Sequence, residues 1–449
     1  MTPALEPGDA GRIVRSPRRR LSPLALLLLS ACAPPAPLGP VPHDDDVTSF
    51  LRPAPAPPGA PLARASADPA GSLGPEVPYV LEPPAPAGAR VATAAASSSA
   101  PVTAAAPATT AATRPVDEAL RRTARRLAGL PVTAVPDRQR ARQEHHDHAV
   151  TASFSHFEQR VGEAMLRWSH DTLAAAEGAT VFYPFGGPDL VTVRRFYPRA
   201  SRYVLLALQD GGPPPSLDTL STSDLDATLD LYAGVFDAFA RRGFFITAQM
   251  GSGYRTPHMT RGVTGVLLAF AEREGLAVEA IEPVHIGASG VEPVADDRRL
   301  ADTWSSVRLW LRRTDGTPVE LDYLRVDLGD AALARDPDAL RLLTSLSAGP
   351  TVLKAASHLP QQPGFTRIRD LILDHAPQLV QDETGVAYRR LAPFEVRLFG
   401  AFRGVNGLFD GRPQRDLQEA YARGQVSPLP FSVGYRKAAG AALMVATRR

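Results

Sequence analysis

The sequence predicts an α/β fold: a three-layer mixed sheet with a Rossmann-like β-α-β opening, preceded by a helical arm and a disordered tether. Three observations predict it. Residues 180–210 read as strand, Gly-rich turn, helix, strand, and two strands joined by a helix of that length pair in parallel through a right-handed crossover. Residues 277–328 then change period into three strand-like runs. The last two flank Thr314-Asp-Gly-Thr-Pro318, a hairpin turn. Residues 337–381 return to helix, strand, helix, strand.

Each element has a local cause. Thr180-Val-Phe-Tyr-Pro-Phe185 is β-branched and aromatic, which suits a buried strand. Gly186-Gly187 ends it, Pro188 suits the first turn of a helix, and Asp189 meets the positive end of the helix dipole. Leu190, Val193 and Phe196 recur at helical spacing until Pro198, and Tyr203–Leu208 is the second strand. Residues 225–242 form a helix with Gly243 placed to close it. Phe244–Thr247 reads as a short strand, Met250–Arg261 as a polar, Gly-rich loop, and Gly262–Glu274 as a helix. Strands follow at Ala277–Ile286, Ser306–Leu311 and Val319–Leu328, then a helix at Pro337–Leu346. The strand Thr351–Ala356, the helix Phe365–His375 and the strand Gln378–Gln381 come next. Late strands are expected at Phe394–Phe399, Phe431–Gly434 and Leu443–Ala446, with a helix over 416–423.

The N-terminus carries an address. A basic run, Arg15–Arg20, precedes the apolar Leu21–Leu29, the form of a secretory signal and too short to span a bilayer. It ends in Leu29-Ser-Ala-Cys32, and Cys32 is the single cysteine of the chain, so no disulfide forms within it. Leu29–Cys32 resembles the lipobox of bacterial lipoproteins. That resemblance implies cleavage before Cys32, lipidation of its sulfur and acylation of the new amine. The expected place is the bacterial cell envelope, periplasmic or surface-facing, with the membrane reached through the lipid anchor. Residues 33–115 are dense in Pro and Ala and cannot bury enough apolar surface to offset their ordering, so they read as an extended spacer. Helical spacing resumes at Leu120 and again over 137–175, where Phe154, Phe157, Val161, Met165, Leu166 and Trp168 share a face. The chain thus divides into signal peptide 1–31, tether 32–115, arm 116–178 and α/β domain 179–449.

A formal net charge of +2 implies no strong electrostatic partner, and the arginines are scattered among acids, so nucleic acid is not expected. Lys354 and Lys437 are the only lysines. An arginine bias that spares Lys354 points to a compact amine paired with a carboxylate.

Tyr183-Pro-Phe-Gly-Gly-Pro-Asp189, Phe196-Tyr-Pro198 and Tyr203–Leu208 resemble the opening motif of an uncharacterised family of bacterial exported proteins that read YPFSGPD, FFP and a strand ending GLEP. Leu353-Lys-Ala-Ala-Ser357, Ile368–Leu373, Gln381-Asp-Glu-Thr-Gly385 and Leu429-Pro-Phe-Ser-Val-Gly-Tyr435 extend the resemblance over residues 150–449. The family has no assigned activity, so the resemblance implies none. Gln209 stands where the pattern has Glu.

In an open parallel sheet, ligands bind beyond the carboxyl ends of the strands. The residues there are Gly186, Gly187 and Asp189, then Gln209-Asp210, Ser357-His358 and Asp382-Glu383. Asp189, Asp210, Lys354, His358 and Asp382 are the catalytic candidates, and Gly186, Gly187 and Asp189 the ligand-binding ones. The same residues also read as a helix cap, a turn and a buried ion pair. Strand, Gly-Gly, helix and an acid near the next strand tip resemble the cofactor-binding start of class I methyltransferases. The glycine signature is incomplete, however, and an extracytoplasmic address lacks S-adenosylmethionine, so no cofactor is expected. His145, His146 and His148 have helical spacing, but no matching ligand set follows and no metal is expected; they read as a solvated helix end. Gly287-Ala-Ser-Gly290 and Gly251-Ser-Gly253 are ordinary turns. Two functions stand: a non-catalytic module binding an envelope partner or small ligand, and a hydrolase or transferase at the strand tips.

Overall fold

The computed structural model describes residues 114–133, 135–174, 176–245, 262–294, 304–404, 413–435 and 441–449. The signal, Cys32, nearly all of the tether and the loop Met250–Arg261 lie outside the described residues.

The strands are β1 (Thr180–Tyr183), β2 (Arg202–Ala207), β3 (Leu276–Gly287), β4 (Gly290–Pro293), β5 (Ser306–Arg313), β6 (Pro318–Arg325), β7 (Thr351–Leu353), β8 (Gln378–Gln381), β9 (Phe394–Gly400), β10 (Val426–Ser427) and β11 (Ala442–Arg448). Among the described residues they form one sheet in the order β10-β9-β11-β8-β7-β1-β2-β6-β5-β3-β4. β1 pairs in parallel with β2 on one side and with β7 on the other. β6 is parallel to β2, and β7 to β8. These five parallel strands run third, second, first, fourth, fifth, so the chain order reverses between β1 and β7, the switch point of a doubly wound sheet. β11 is inserted between β8 and β9, antiparallel to both.

The α/β expectation is met, and the layers follow from strand alternation. Val181 and Tyr183 of β1, with Tyr203 and Leu205 of β2, join one buried cluster. Phe182, Val204 and Leu206 join the other. The first face is covered by helices Glu118–Leu127, Asp137–Phe157, Glu163–Thr172, Leu190–Phe196, Thr222–Arg242 and Thr264–Arg273. The second is covered by Pro337–Ser347, Thr366–His375 and Arg415–Arg423. Leu120, Phe154, Phe157, Met165 and Trp168 of the arm share the first cluster with β1 and β2.

Several local expectations are corrected. The arm helix is broken by a π turn over Glu158–Gly162. Glu158 pairs there with Arg195, whose Nε is 2.8 Å from Glu274 Oε2. Leu166 is 38 % exposed, off the buried face. Pro188 precedes the helix rather than opening it, because Asp189 is the N-cap and accepts from the Thr192 amide at 3.1 Å. Phe244 and Phe245 are not in a strand. Phe431–Gly434 contributes a single bridge residue, Val433, rather than a strand, and Phe431 packs into the first cluster from a bend. β4 and β10 had no expected counterpart.

Candidate functional site

The switch point brings together four stretches far apart in sequence. Asp189 follows β1, and Lys354 lies one residue past β7 rather than within a strand. The Lys354 ammonium is 2.6 Å from Asp189 Oδ2 and 2.8 Å from Thr192 Oγ1, and it also donates to the Gly243 carbonyl. Both side chains of the pair are 3 % exposed. Gly243 closes helix Thr222–Arg242 with φ 73°, so Lys354 joins the negative end of one helix to the capped start of another. The Tyr183 hydroxyl is 3.3 Å from both Asp189 Oδ2 and the Lys354 carbonyl oxygen. Burial and the neighbouring Asp189 carboxylate raise its pKa well above the phenol range. Gly186 leaves room for this ring, since any side chain there would meet it.

Past β8, Asp382 is wholly buried. It accepts from the Ala355 amide at 2.8 Å, the Thr384 amide at 2.9 Å and the Thr384 hydroxyl. Burial raises its pKa, and those donors together with Lys354 oppose the rise. The Ala356 amide donates to Thr384 Oγ1 at 2.8 Å, so residues 354–358 are stitched to 382–384. Ala355, Ser357 and His358 have φ of 50°, 51° and 57°. Three non-glycine residues in the left-handed region within four positions are a local strain of the kind that surrounding structure must hold in place. Ser357 Oγ lies 3.0 Å from the Tyr435 hydroxyl, which donates to the Ala355 carbonyl at 2.7 Å. Both side chains are partly exposed, and Tyr435 packs edge-on to Phe244.

Of the expected site residues, Asp189, Lys354 and Asp382 meet in one network with Gly186 and Gly187 beside it. His358 belongs to the same strained stretch and is fully buried; burial lowers its imidazole pKa, and Gln361 partly offsets this. Asp210 stands apart: half exposed, it pairs with Arg325 Nη1 at 2.9 Å, and no contact among the described residues joins it to Asp189 or Lys354. Tyr183, Thr192, Gly243, Thr384 and Tyr435 were not singled out as site residues, and Ser357 was named only among the residues at the strand tips. Tyr183, Ser357, Thr384 and Tyr435 lie within the quoted motifs, which was the available signal. Thr192 is the third residue of a helix capped by Asp189, where a cap's partner is expected.

The histidine expectation is corrected for one residue. His145 and His148 are exposed, but His146 is buried. Among the described residues no group of three or more His, Cys, Asp or Glu could hold a metal ion.

No family model, no curated protein and no solved structure matches this chain. The site therefore has to be read from its own chemistry. A lysine acting as base or nucleophile needs a free lone pair and access. Lys354 has three N–H donors and three acceptors around it, and its carboxylate partner is also taken by Thr192 and Tyr183. Among the described residues, Tyr183, Asp189 and Lys354 are buried at the switch point.

Proposed function

We propose that this is a lipid-anchored protein of the bacterial cell envelope whose α/β domain is a non-catalytic binding module. The saturated Lys354–Asp189 pair supports this reading most directly. It occupies the place where a doubly wound sheet would admit a cofactor, and it leaves no reactive atom exposed. The four motif stretches that converge here then serve to set the shape of the rim, with the Ser357 and Tyr435 hydroxyls as its partly exposed part. The resemblance to exported proteins, the lipobox form around Cys32 and the tether composition support the envelope address.

The test separates a structural pair from a working one. Removing one partner of a buried ion pair strands the other charge and costs about 3–5 kcal/mol, whereas replacing both by apolar groups is often close to neutral. Lys354→Met and Asp189→Leu singly are expected to lower the urea midpoint strongly, and the double variant to recover most of the loss. Titration calorimetry with S-adenosylmethionine is expected to show no binding. A stable, folded double variant that loses an envelope phenotype complemented by wild type, or micromolar S-adenosylmethionine binding, would overturn the non-catalytic reading.

A second reading, a hydrolase or transferase at the same strand tips, is favoured by one observation: the three left-handed residues at Ala355, Ser357 and His358, a kind of strain that clusters at active sites. Under it, Ser357→Ala would abolish function with folding intact.

A further inference from the structure

The second face of the sheet has one stretch that its apolar cluster does not reach. Val307, Leu309 and Leu311 of β5 belong to the first cluster, so alternation turns Arg308, Trp310 and Arg312 to the other face. No residue of β5 joins the second cluster. Trp310 is partly exposed there, yet its indole nitrogen is buried and has no acceptor among the described residues. Glu282 of β3 lies on the same face, and its Oε1 is buried without a donor. An indole N–H only donates and a carboxylate only accepts. Leaving either bare in a buried place is costly. The two groups together suit an occupant that offers both a carbonyl and an N–H or hydroxyl, as a peptide does.

The chain itself arrives at this spot. The Arg114 guanidinium lies 4.4 Å from the centre of the Trp310 ring, and its Nη1 is 3.2 Å from Glu282 Oε2. From there the chain follows the outer edge of β3, which β4 pairs with only over Val284–Gly287. The Asp117 amide donates to the Glu279 carbonyl at 2.8 Å, and Arg121 Nε to the Val278 carbonyl at 3.1 Å. The residue before Arg114 therefore starts beside the indole. Residues 101–113, Pro-Val-Thr-Ala-Ala-Ala-Pro-Ala-Thr-Thr-Ala-Ala-Thr, lie outside the described residues and carry no charged group. Pro101, Pro107 and Pro115 favour the polyproline conformation, and proline-bearing segments of that kind bind aromatic faces because they are ordered beforehand.

We propose that residues 107–113 dock in cis on Trp310, giving the indole a backbone carbonyl and Glu282 an amide or threonine hydroxyl, so that the spacer begins upstream of Pro107 rather than at residue 115. The docking stands whether or not Cys32 is lipidated. Trp310 pairs with Glu320, and Glu320 with Arg202 at the start of β2. The docked root therefore lies at the end of the sheet opposite the Ser357–Tyr435 rim.

Limited proteolysis with elastase, which cuts after small residues, tests this in the full chain, with the fragments read by intact mass. Cleavage of a segment that opens and closes quickly tracks the population of its open form. Cutting after Ala108 is expected to be roughly tenfold slower in wild type than in a free peptide of residues 101–115, the factor that one buried hydrogen bond gives. Trp310→Ala and Arg114→Ala are each expected to restore the peptide's rate, and Trp310→Phe, which keeps a ring without the N–H, to restore part of it. Arg114 lies outside the sheet, so its variant decides the matter if Trp310→Ala unfolds. Cutting in wild type at the free peptide's rate, or protection kept in both Arg114→Ala and Trp310→Phe, would overturn the proposal. Protection that grows with protein concentration would put a second copy on the indole and overturn it equally.

Discussion

Asp382 holds its place because Gly434 has no side chain. Gly434 has φ 67°, and a Cβ there would be driven into the Asp382 carboxylate. That carboxylate ties residues 382–384 to the strained stretch after β7. Gly434→Ala is therefore expected to destabilise the domain by about 1–3 kcal/mol, the usual cost of a left-handed non-glycine residue, plus the displacement of Asp382. A urea denaturation series measures it, and a midpoint within error of wild type would contradict the packing described. At this scale the sequence was readable where the chemistry is local. Asp189 caps a helix three residues from its partner, and Gly243 closes a helix with its own backbone angle. Lys354 stood out because lysine is rare here. His146 was read as solvated because its two partners are 19 and 83 residues away, and nothing in a window around residue 146 announces them.

Strands β2, β5 and β6 share a polar seam. Asp322 of β6 is fully buried and is held by Arg202 of β2 and Arg308 of β5. Glu320, two residues earlier on the same face, is 2.7 Å from Arg202 Nε and 3.2 Å from Arg308 Nε. Burial, with Asp322 adding repulsion, pushes the Glu320 carboxyl up from 4.5 to about 7 against the pull of both arginines. A carboxyl whose folded pKa is raised adds stability below its unfolded value and loses it as pH rises through the folded one. Stability at this seam should thus decline between about pH 4.5 and 7, and Glu320→Gln should flatten that part of the thermal-midpoint profile. A profile unchanged by the substitution would refute the assignment. Some element boundaries were readable: β8 lies over Gln378–Gln381 as expected, and the β5–β6 hairpin closes at Thr314–Thr317. β10, of two residues, is too short to show a period. The parallel pairing of β6 with β2 joins residues more than a hundred apart, and no hairpin signal predicts it.

Over the whole molecule, the α/β class was legible, because β-α-β order needs only the order of elements. What was not legible is how Lys354 is held, since that depends on Asp189, Thr192 and Gly243 converging on one ammonium. The aromatic side chains of the arm share the domain's core. The proposed address has its own test. Wild-type protein is expected in the membrane pellet, released only by detergent, and Cys32→Ser in the soluble fraction. One acyl chain alone anchors marginally, so equal partitioning of the two would argue against lipidation at Cys32.

The insertion of β11 between β8 and β9 carries a consequence for synthesis. Among the described residues, 442–448 form the strand latest in chain order, and β9, with β10 beyond it, joins the remainder of the sheet through them. A chain still emerging from a ribosome or a translocation channel cannot complete this sheet. A nonsense codon near residue 440 would leave β8 and β9 with bare, sticky margins, and such a product would be cleared by proteases rather than persist as a shortened domain.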